Sequence, residues 1–206
     1  MTKVKMRFGF LRMLLAELCL MLRGHHWSWY VIAVGLIAAQ LAVPYEYARR
    51  FALPAAWIWP LAIWSGMGTR DARFHTGEFV FSSPYPLSRQ FHAIYAAGLI
   101  FSACTAVPML IRALAAGESG QLGVLLAGVL FVPALALALG TVSGSRKLFE
   151  VAYLLLWYVG PVNGLPSLDF LGTTDAAAET SIPLVCVVSS LALLCIALLW
   201  RRRQRA

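Results

Sequence analysis

Charged residues are scarce in this chain. Asp, Glu, Lys and Arg together make up 13% of the 206 residues, apolar types make up 60%, and the mean hydropathy is +0.74. Soluble domains carry about 25% charged residues because they need a polar surface. The scarcity therefore excludes an ordinary soluble domain and predicts an all-α integral membrane protein.

Acidic residues are the scarcer of the two charged classes. Nine acidic residues stand against 17 basic ones, which gives a formal charge of +8. A basic surplus is common in nucleic-acid-binding proteins, where bases and aromatics form one patch. Here the bases lie at the borders of apolar runs, so we expect membrane lipid as a partner and no nucleic acid.

The chain also lacks the cysteine and histidine patterns that are typical of disulfide frameworks, metal sites and catalytic sites. The four cysteines, Cys19, Cys104, Cys186 and Cys195, lie in apolar stretches without CxxC spacing, so we expect small buried apolar residues and no disulfide framework. There is no HExxH pattern, and the histidines lie near the ends of apolar runs. No metal, cofactor or catalytic residue is predicted, and an intramembrane hydrolase using Ser145 or His92 is disfavoured.

A cleavable signal peptide is not expected at the N-terminus. Lys3 and Lys5 resemble its charged start, but Arg12 and Glu17 interrupt the apolar stretch that follows, and no small-x-small site comes after it. The stretch is also too short and too charged to span a bilayer. Residues 1–26 are therefore predicted to form an amphipathic helix in the membrane interface.

Six apolar segments follow, and each is a candidate membrane span. They are placed at about 27–43, 51–68, 91–111, 121–141, 150–166 and 182–200. The predicted fold is one transmembrane domain over 1–206, with the interfacial helix, a six-span bundle over 27–200 and a basic tail over 201–206. Trp27, Trp29 and Tyr30 fit one membrane boundary.

Basic residues are distributed unevenly between the two sides of this arrangement. With the N-terminus inside, the cytoplasmic side holds Lys3, Lys5, Arg7, Arg12, Arg23, Arg70, Arg73, Arg89, Arg146, Lys147, Arg201, Arg202, Arg203 and Arg205. Of the 17 bases, Arg49, Arg50 and Arg112 alone fall outside. Positive charge favours the cytoplasmic side, so both termini are predicted to be cytoplasmic.

No Asp, Glu, Lys or Arg lies clearly at the centre of a predicted span. Intramembrane ionisable residues mark proton relays and ion-coupled transport. A transporter of this composition therefore needs an outside source of energy. The chain has no GxxxxGK[ST] phosphate loop, so ATP hydrolysis is not expected within it and the chain is not predicted to be an enzyme.

The charged segment 69–90 separates the second and third predicted spans. Thr76 fits the N-cap of a short helix, with Glu78 in its first turn, and Pro84 ends that helix near Ser82. Pro86 fits the first turn of the next long helix. The short helix displays Phe79 and Phe81. This pattern has two interpretations: docking into a groove on a partner, or lying on the bilayer.

The same segment resembles the cytoplasmic loop of ABC-2 type exporter permeases. The residues that carry the resemblance are Arg73, Thr76-Gly77-Glu78, Ser83-Pro84 and Pro86-Leu87-Ser88-Arg89. The chain departs from the family in two ways: Thr76-Gly77 reverses the usual Gly-Thr order, and Tyr85-Pro86 follows the Ser-Pro pair as an insertion.

The resemblance implies a helix that receives motion from a cytoplasmic ATP-binding cassette subunit. Glu78, Phe79 and Phe81 would make the contact, framed by Arg73 and Arg89. It also implies a second permease half, as a homodimer or heterodimer, and a location in the bacterial cytoplasmic (inner) membrane.

A second functional segment is expected at the end of the fifth span. Gly160, Pro161, Asn163 and Gly164 interrupt that helix, and the stretch to Ser181 has four acidic or amide residues and no base. It is interpreted as a hinge and a re-entrant segment before the last span, with an ordinary loop as the alternative.

The function expected from these observations is that of a permease subunit of an ATP-driven exporter, moving a substrate that the sequence does not identify. The alternative is a six-span membrane scaffold that recruits a cytoplasmic partner without transport.

Overall fold

The structure is a computed structural model that describes residues 2–69, 86–179 and 181–203. Side chains are described for residues 10–69, 90–177 and 181–203. This part of the chain is helical and contains no β-strand. The prediction of an all-α protein is therefore confirmed for these residues.

Helices α1 and α2 open the chain. Helix α1 spans Thr2–Leu22 and α2 spans Trp27–Ala42, joined by a turn in which Gly24 has a φ of +98°. His26 caps α2, because its ring nitrogen accepts a hydrogen bond from the backbone N–H of Ser28. Helix α1 buries Glu17 and Met21 against the bundle, while Arg12 and Arg23 are exposed.

The second segment is a chain of short helices. Helix α3 (Tyr45–Tyr47) passes through a π-helical turn (Ala48–Ala52) into α4 (Leu53–Ile58), and α5 covers Leu61–Trp64. Proline lacks the N–H that would continue the ladder, and the break between α4 and α5 falls at Pro60. The helical stretch at the position of the expected span 51–68 thus begins six residues earlier, at Tyr45, and is interrupted at Pro60.

Two long helices form the centre of the molecule. Helix α6 spans Pro86–Ala116 and begins at the proline that was expected in its first turn; α7 spans Ser119–Ser143. Pro108 and Pro133 lie inside them without ending them. Helix α7 ends at Gly144, whose φ of +63° is the left-handed conformation usual at helix C-termini.

The last third of the chain contains a broken helix and a final long one. Helix α8 spans Arg146–Trp157 and continues as a π-helical turn, Tyr158–Val162. A 3₁₀ turn (Pro166–Leu168) and a short helix α9 (Asp175–Glu179) lead to α10, Ile182–Arg203.

Three described helices are long and apolar enough to cross a membrane: Gln90–Ala116, Ser119–Ser143 and Ile182–Arg203. Helix α2 is apolar but shorter. Helix α7 is the most enclosed of the three, whereas α10 turns most of its apolar surface outward. Large side chains exposed on α10 include Leu184, Val185, Val188, Leu191, Ile196 and Leu199.

Contacts at the two ends of the bundle show that successive segments alternate in direction. At one end, Arg112 near the end of α6 donates to the carbonyls of Gln40 and Val43 at the end of α2, and Tyr45 of α3 donates to Gln121 at the start of α7. We call this the turn end; it also holds residues 162–179 and the start of α10. The other end, with Thr69, Gln90, Gly144 and Arg201, is called the loop end.

One connected core of buried side chains runs from Met21 of α1 to Ala197 of α10, and Trp29 of α2 packs against it. Its centre is aromatic: Trp57, Trp64, Phe149 and Tyr153 are all fully buried. The four cysteines were expected to be buried. This prediction is confirmed for Cys186 and is wrong for Cys19, Cys104 and Cys195, which are exposed on the chain. Their apolar stretches face outward there, toward whatever surrounds the helices.

Candidate functional site: the loop end and the buried loop

Most of the expected contact segment lies outside the described residues. This applies to Arg73, Thr76, Gly77, Glu78, Phe79, Phe81 and Pro84, and to the side chains of Pro86 and Arg89. The short helix and its role stay predictions. The structure describes the two positions from which this segment leaves and re-enters the bundle, after Thr69 and before Gln90.

The first of these positions is packed tightly against α7. Gly68 has a φ of +72°, and a Cβ placed on it would lie 2.8 Å from the carbonyl oxygen of Leu137 and 2.7 Å from the hydroxyl of Thr141. A Cβ on Gly140 would collide with the carbonyl oxygen of Met67. Both positions require glycine, since a side chain would separate residues 67–68 from α7.

Charged side chains surround both positions. Glu17 of α1 and Arg201 of α10 are buried, and together with residues 66–68, Gln90 and Ile94 they line a small cavity of about 10 Å³. The guanidinium of Arg146, at the start of α8, approaches Gly66. Glu17 of the first helix and Arg201 of the last helix are thus both buried next to the residues that precede and follow the connection between α5 and α6.

The second predicted segment is described in full and forms a reversal of the chain at the turn end. The π-helical turn places Gly160 against the backbone of Leu168, where a Cβ would collide with the Leu168 carbonyl oxygen. Pro161 is buried within that turn. Asn163 donates to the carbonyl of Tyr158 at 2.8 Å, and Gly164 has a φ of +71°.

After this reversal the chain folds back into the bundle. Phe170 and Leu171 are buried, and the Phe170 ring lies 6.0 Å from those of Phe131 and Tyr153. A Cβ on Gly128 of α7 would collide with the Phe170 carbonyl oxygen. We call residues 163–174 the buried loop. The hinge and the re-entrant role expected of this region stay predictions.

Asp169 organises the buried loop from within. It is fully buried, and its carboxylate accepts hydrogen bonds from the backbone N–H groups of Leu171 (3.3 Å) and Thr174 (2.9 Å). The hydroxyls of Thr173 and Thr174 donate to it as well, each at 2.9 Å. A buried carboxylate is stable only with such donors, so it fixes the loop in one conformation.

Arg49 ties the buried loop to the second segment. Its Nε donates to the carbonyl of Gly172 at 2.8 Å, and Nη1 lies 2.6 Å from the carboxylate of Asp175. Arg49 is in the π-helical turn, whose wider ladder places the side chain inside the bundle. The sequence placed Arg49 outside the predicted spans, among the three external bases, and did not indicate that its side chain is buried.

A second polar cluster holds the turn end together. The Arg112 guanidinium lies 5.7 Å from the centre of the Tyr45 ring, in cation–π geometry. The Tyr45 hydroxyl also donates a hydrogen bond to the side-chain oxygen of Gln121. Within the described residues no group of three His, Cys, Asp or Glu side chains is placed to hold a metal ion.

Four of these residues, Glu17, Arg49, Asp169 and Arg201, were not singled out from the sequence. Each is a common residue type with no motif around it, and its burial, which the sequence does not reveal, is what distinguishes it. A comparison of the chain with protein-family models, characterised proteins and solved structures gives no match.

Proposed function

We propose that this chain is the membrane-spanning permease subunit of an ATP-driven exporter, with ATP hydrolysed by a separate cytoplasmic subunit. The observation that supports it best is the packing of the described residues on either side of residues 70–85. Gly68 packs against α7, and Gln90 lines a cavity together with Glu17 and Arg201.

Force on this segment has a direct route into the bundle. Helix α6 is continuous from Pro86 to Ala116, so a displacement at its start is carried along 31 residues. On the other side, residues 67–68 touch α7 without an intervening side chain. A partner that moves the segment through Glu78, Phe79 and Phe81 would therefore shift α6 relative to α7, the two central helices.

Six membrane crossings are part of the proposal. Three helices have the length and hydropathy to span, and the remaining segments run alternately between the same two ends. In this proposal α2, the α3–α5 chain and α8 complete the bundle as short or broken spans, which are tolerated where neighbours satisfy the backbone. A second permease half then faces this one, so that the two enclose a pathway.

The buried loop has a place in this mechanism at the external side. It closes the turn end between α4, α7 and α8, and Arg49 and Asp169 hold it there. Shifting α7 against α4 would strain these contacts. A nucleotide shifts the balance between two conformations of the complex only if it binds one of them more tightly than the other. The ATP-binding subunit supplies this difference in affinity.

Affinity purification from native membranes tests this proposal. We expect an ATP-hydrolysing subunit to purify with the chain, and the double substitution Glu78→Ala with Phe79→Ala to abolish its recovery. The matched control is Glu118→Ala with Leu114→Ala, an exposed acid and an exposed leucine at the turn end; it should retain the subunit. A chain that binds a partner without ATPase activity would support a scaffold instead.

A further inference from the structure

An apolar cavity of about 200 Å³ lies between α2, the α4–α5 junction and α6. Its walls include Trp29, Ala33 and Ile37 of α2, Trp59 beside Pro60, and Phe101 and Cys104 of α6. An engineered apolar cavity of about 150 Å³ stays dry and binds benzene. This one is larger, so it has room for a hydrocarbon segment.

The chemistry of the walls selects an apolar occupant. The polar groups of three lining residues are already engaged: Tyr30 donates to the Leu22 carbonyl at 2.6 Å, Trp59 to that of Trp29 at 3.1 Å, and Thr105 to that of Phe101 at 2.9 Å. Among the described residues, no charged side chain lines the cavity. An empty apolar space of this size costs stability, because the lining atoms lose packing partners.

The cavity opens toward the outer surface of the bundle. Cys104 at its rim is exposed, and α2 presents Val31, Ile32 and Val34 outward beside it. In a membrane this surface meets lipid chains. At the loop end, Leu22 lines the cavity and is followed directly by the exposed Arg23, whose charge suits a lipid phosphate.

We propose that this cavity binds one acyl chain of a membrane phospholipid, with the headgroup beside Arg23 at the turn between α1 and α2. Trp29, Tyr30 and Trp59 lie near that end, and tryptophan and tyrosine are the residues that favour the headgroup level. The site depends on the chain lying in a membrane and goes beyond the proposed export.

The first test counts retained lipid. The chain is purified from membranes in a mild detergent, and phospholipid bound per chain is measured by native mass spectrometry. One phospholipid should stay on the unmodified chain, and Ala33→Phe, which fills the cavity from α2, should remove it. The control Val34→Phe adds the same ring at the next residue, which faces outward, and should retain the lipid.

A second measurement needs no variant and so does not depend on folding of Ala33→Phe. The unmodified chain is placed in vesicles that contain phosphatidylglycerol with a diazirine on one acyl chain, and cross-linked residues are mapped. Cross-links should concentrate on Ile37, Phe101 and Cys104. Equal labelling of Val188 and Leu191 on the outward face of α10 would overturn the proposal.

Discussion

Single residues at the ends of the bundle determine how its segments are held together, and Arg49 is the clearest case. Its side chain is 5% exposed, whereas that of its partner Asp175 is 90% exposed. The ion pair is therefore largely solvated on one side and contributes little. The hydrogen bond to the Gly172 carbonyl lies in the interior, and its loss would leave a buried acceptor without its donor.

This asymmetry predicts different effects for the two partners. Arg49→Ala should lower the free energy of unfolding by about 1–3 kcal/mol, since it removes the donor to a buried carbonyl. Asp175→Asn should lower it by less than about 1 kcal/mol. Unfolding by SDS titration in mixed micelles measures both. Equal losses would mean that the ion pair, and not the interior hydrogen bond, holds the loop.

Glycines give a second prediction at this scale. Gly140→Ala introduces a Cβ against the Met67 carbonyl oxygen, and overpacking of this kind costs about 1–3 kcal/mol. Gly35→Ala is the matched control, since it lies within α2 with no atom within 4 Å of an added Cβ. It should be neutral or stabilising, because alanine favours helix. Similar losses for the two variants would contradict the close contact between residue 67 and α7.

Among the elements, the buried loop is the least usual, because irregular backbone is normally exposed. Asp169 makes it stable by accepting four hydrogen bonds from residues 171–174. Asp169→Ala should therefore release the loop, with faster amide hydrogen exchange over residues 165–174. Asn163→Ala, which removes one exposed hydrogen bond, serves as the control. Unchanged exchange in Asp169→Ala would show that Phe170 packing alone holds the loop.

A helix could be predicted from this sequence when its apolar run is long. Helices α2, α6, α7 and α10 contain, or nearly match, the expected spans, because long uninterrupted runs leave the backbone no alternative to helix. Pro86 marked a helix start that the structure also has, and Pro161 lies inside the π-helical turn that follows α8. These signals are local, and one sequence is enough to read them.

Features that depend on distant contacts did not follow from the sequence. The π-helical turn at Ala48–Ala52 has no local signature, and it is what directs Arg49 toward Gly172. Burial of Glu17 and Arg201 likewise arises from the first and last helices meeting beside Gln90. Cys104 was expected in the interior, yet it lies on the outward side of α6, since an apolar run does not reveal which face is covered.

At the scale of the whole molecule, the two ends should lie on opposite sides of the membrane. In a background without the four native cysteines, Ser167→Cys reports on the turn end and Arg203→Cys on the loop end; both positions are exposed. A membrane-impermeant maleimide should label Ser167→Cys in intact cells. It should label Arg203→Cys only after the cells are permeabilised. Labelling of both in intact cells, or the reverse order, would contradict the predicted orientation.

The central claim is that force on residues 70–85 reaches the turn end. The most direct test is the maleimide labelling rate of Ser167→Cys in the complex with its ATPase subunit, in vesicles, with ATP and with a non-hydrolysable analogue. We predict that the labelling rate differs between the two nucleotides. We also predict that Phe81→Ala removes this difference. This variant is chosen to weaken coupling while Glu78 and Phe79 keep the subunit bound. A rate that is the same with both nucleotides in the unmodified complex would contradict the account.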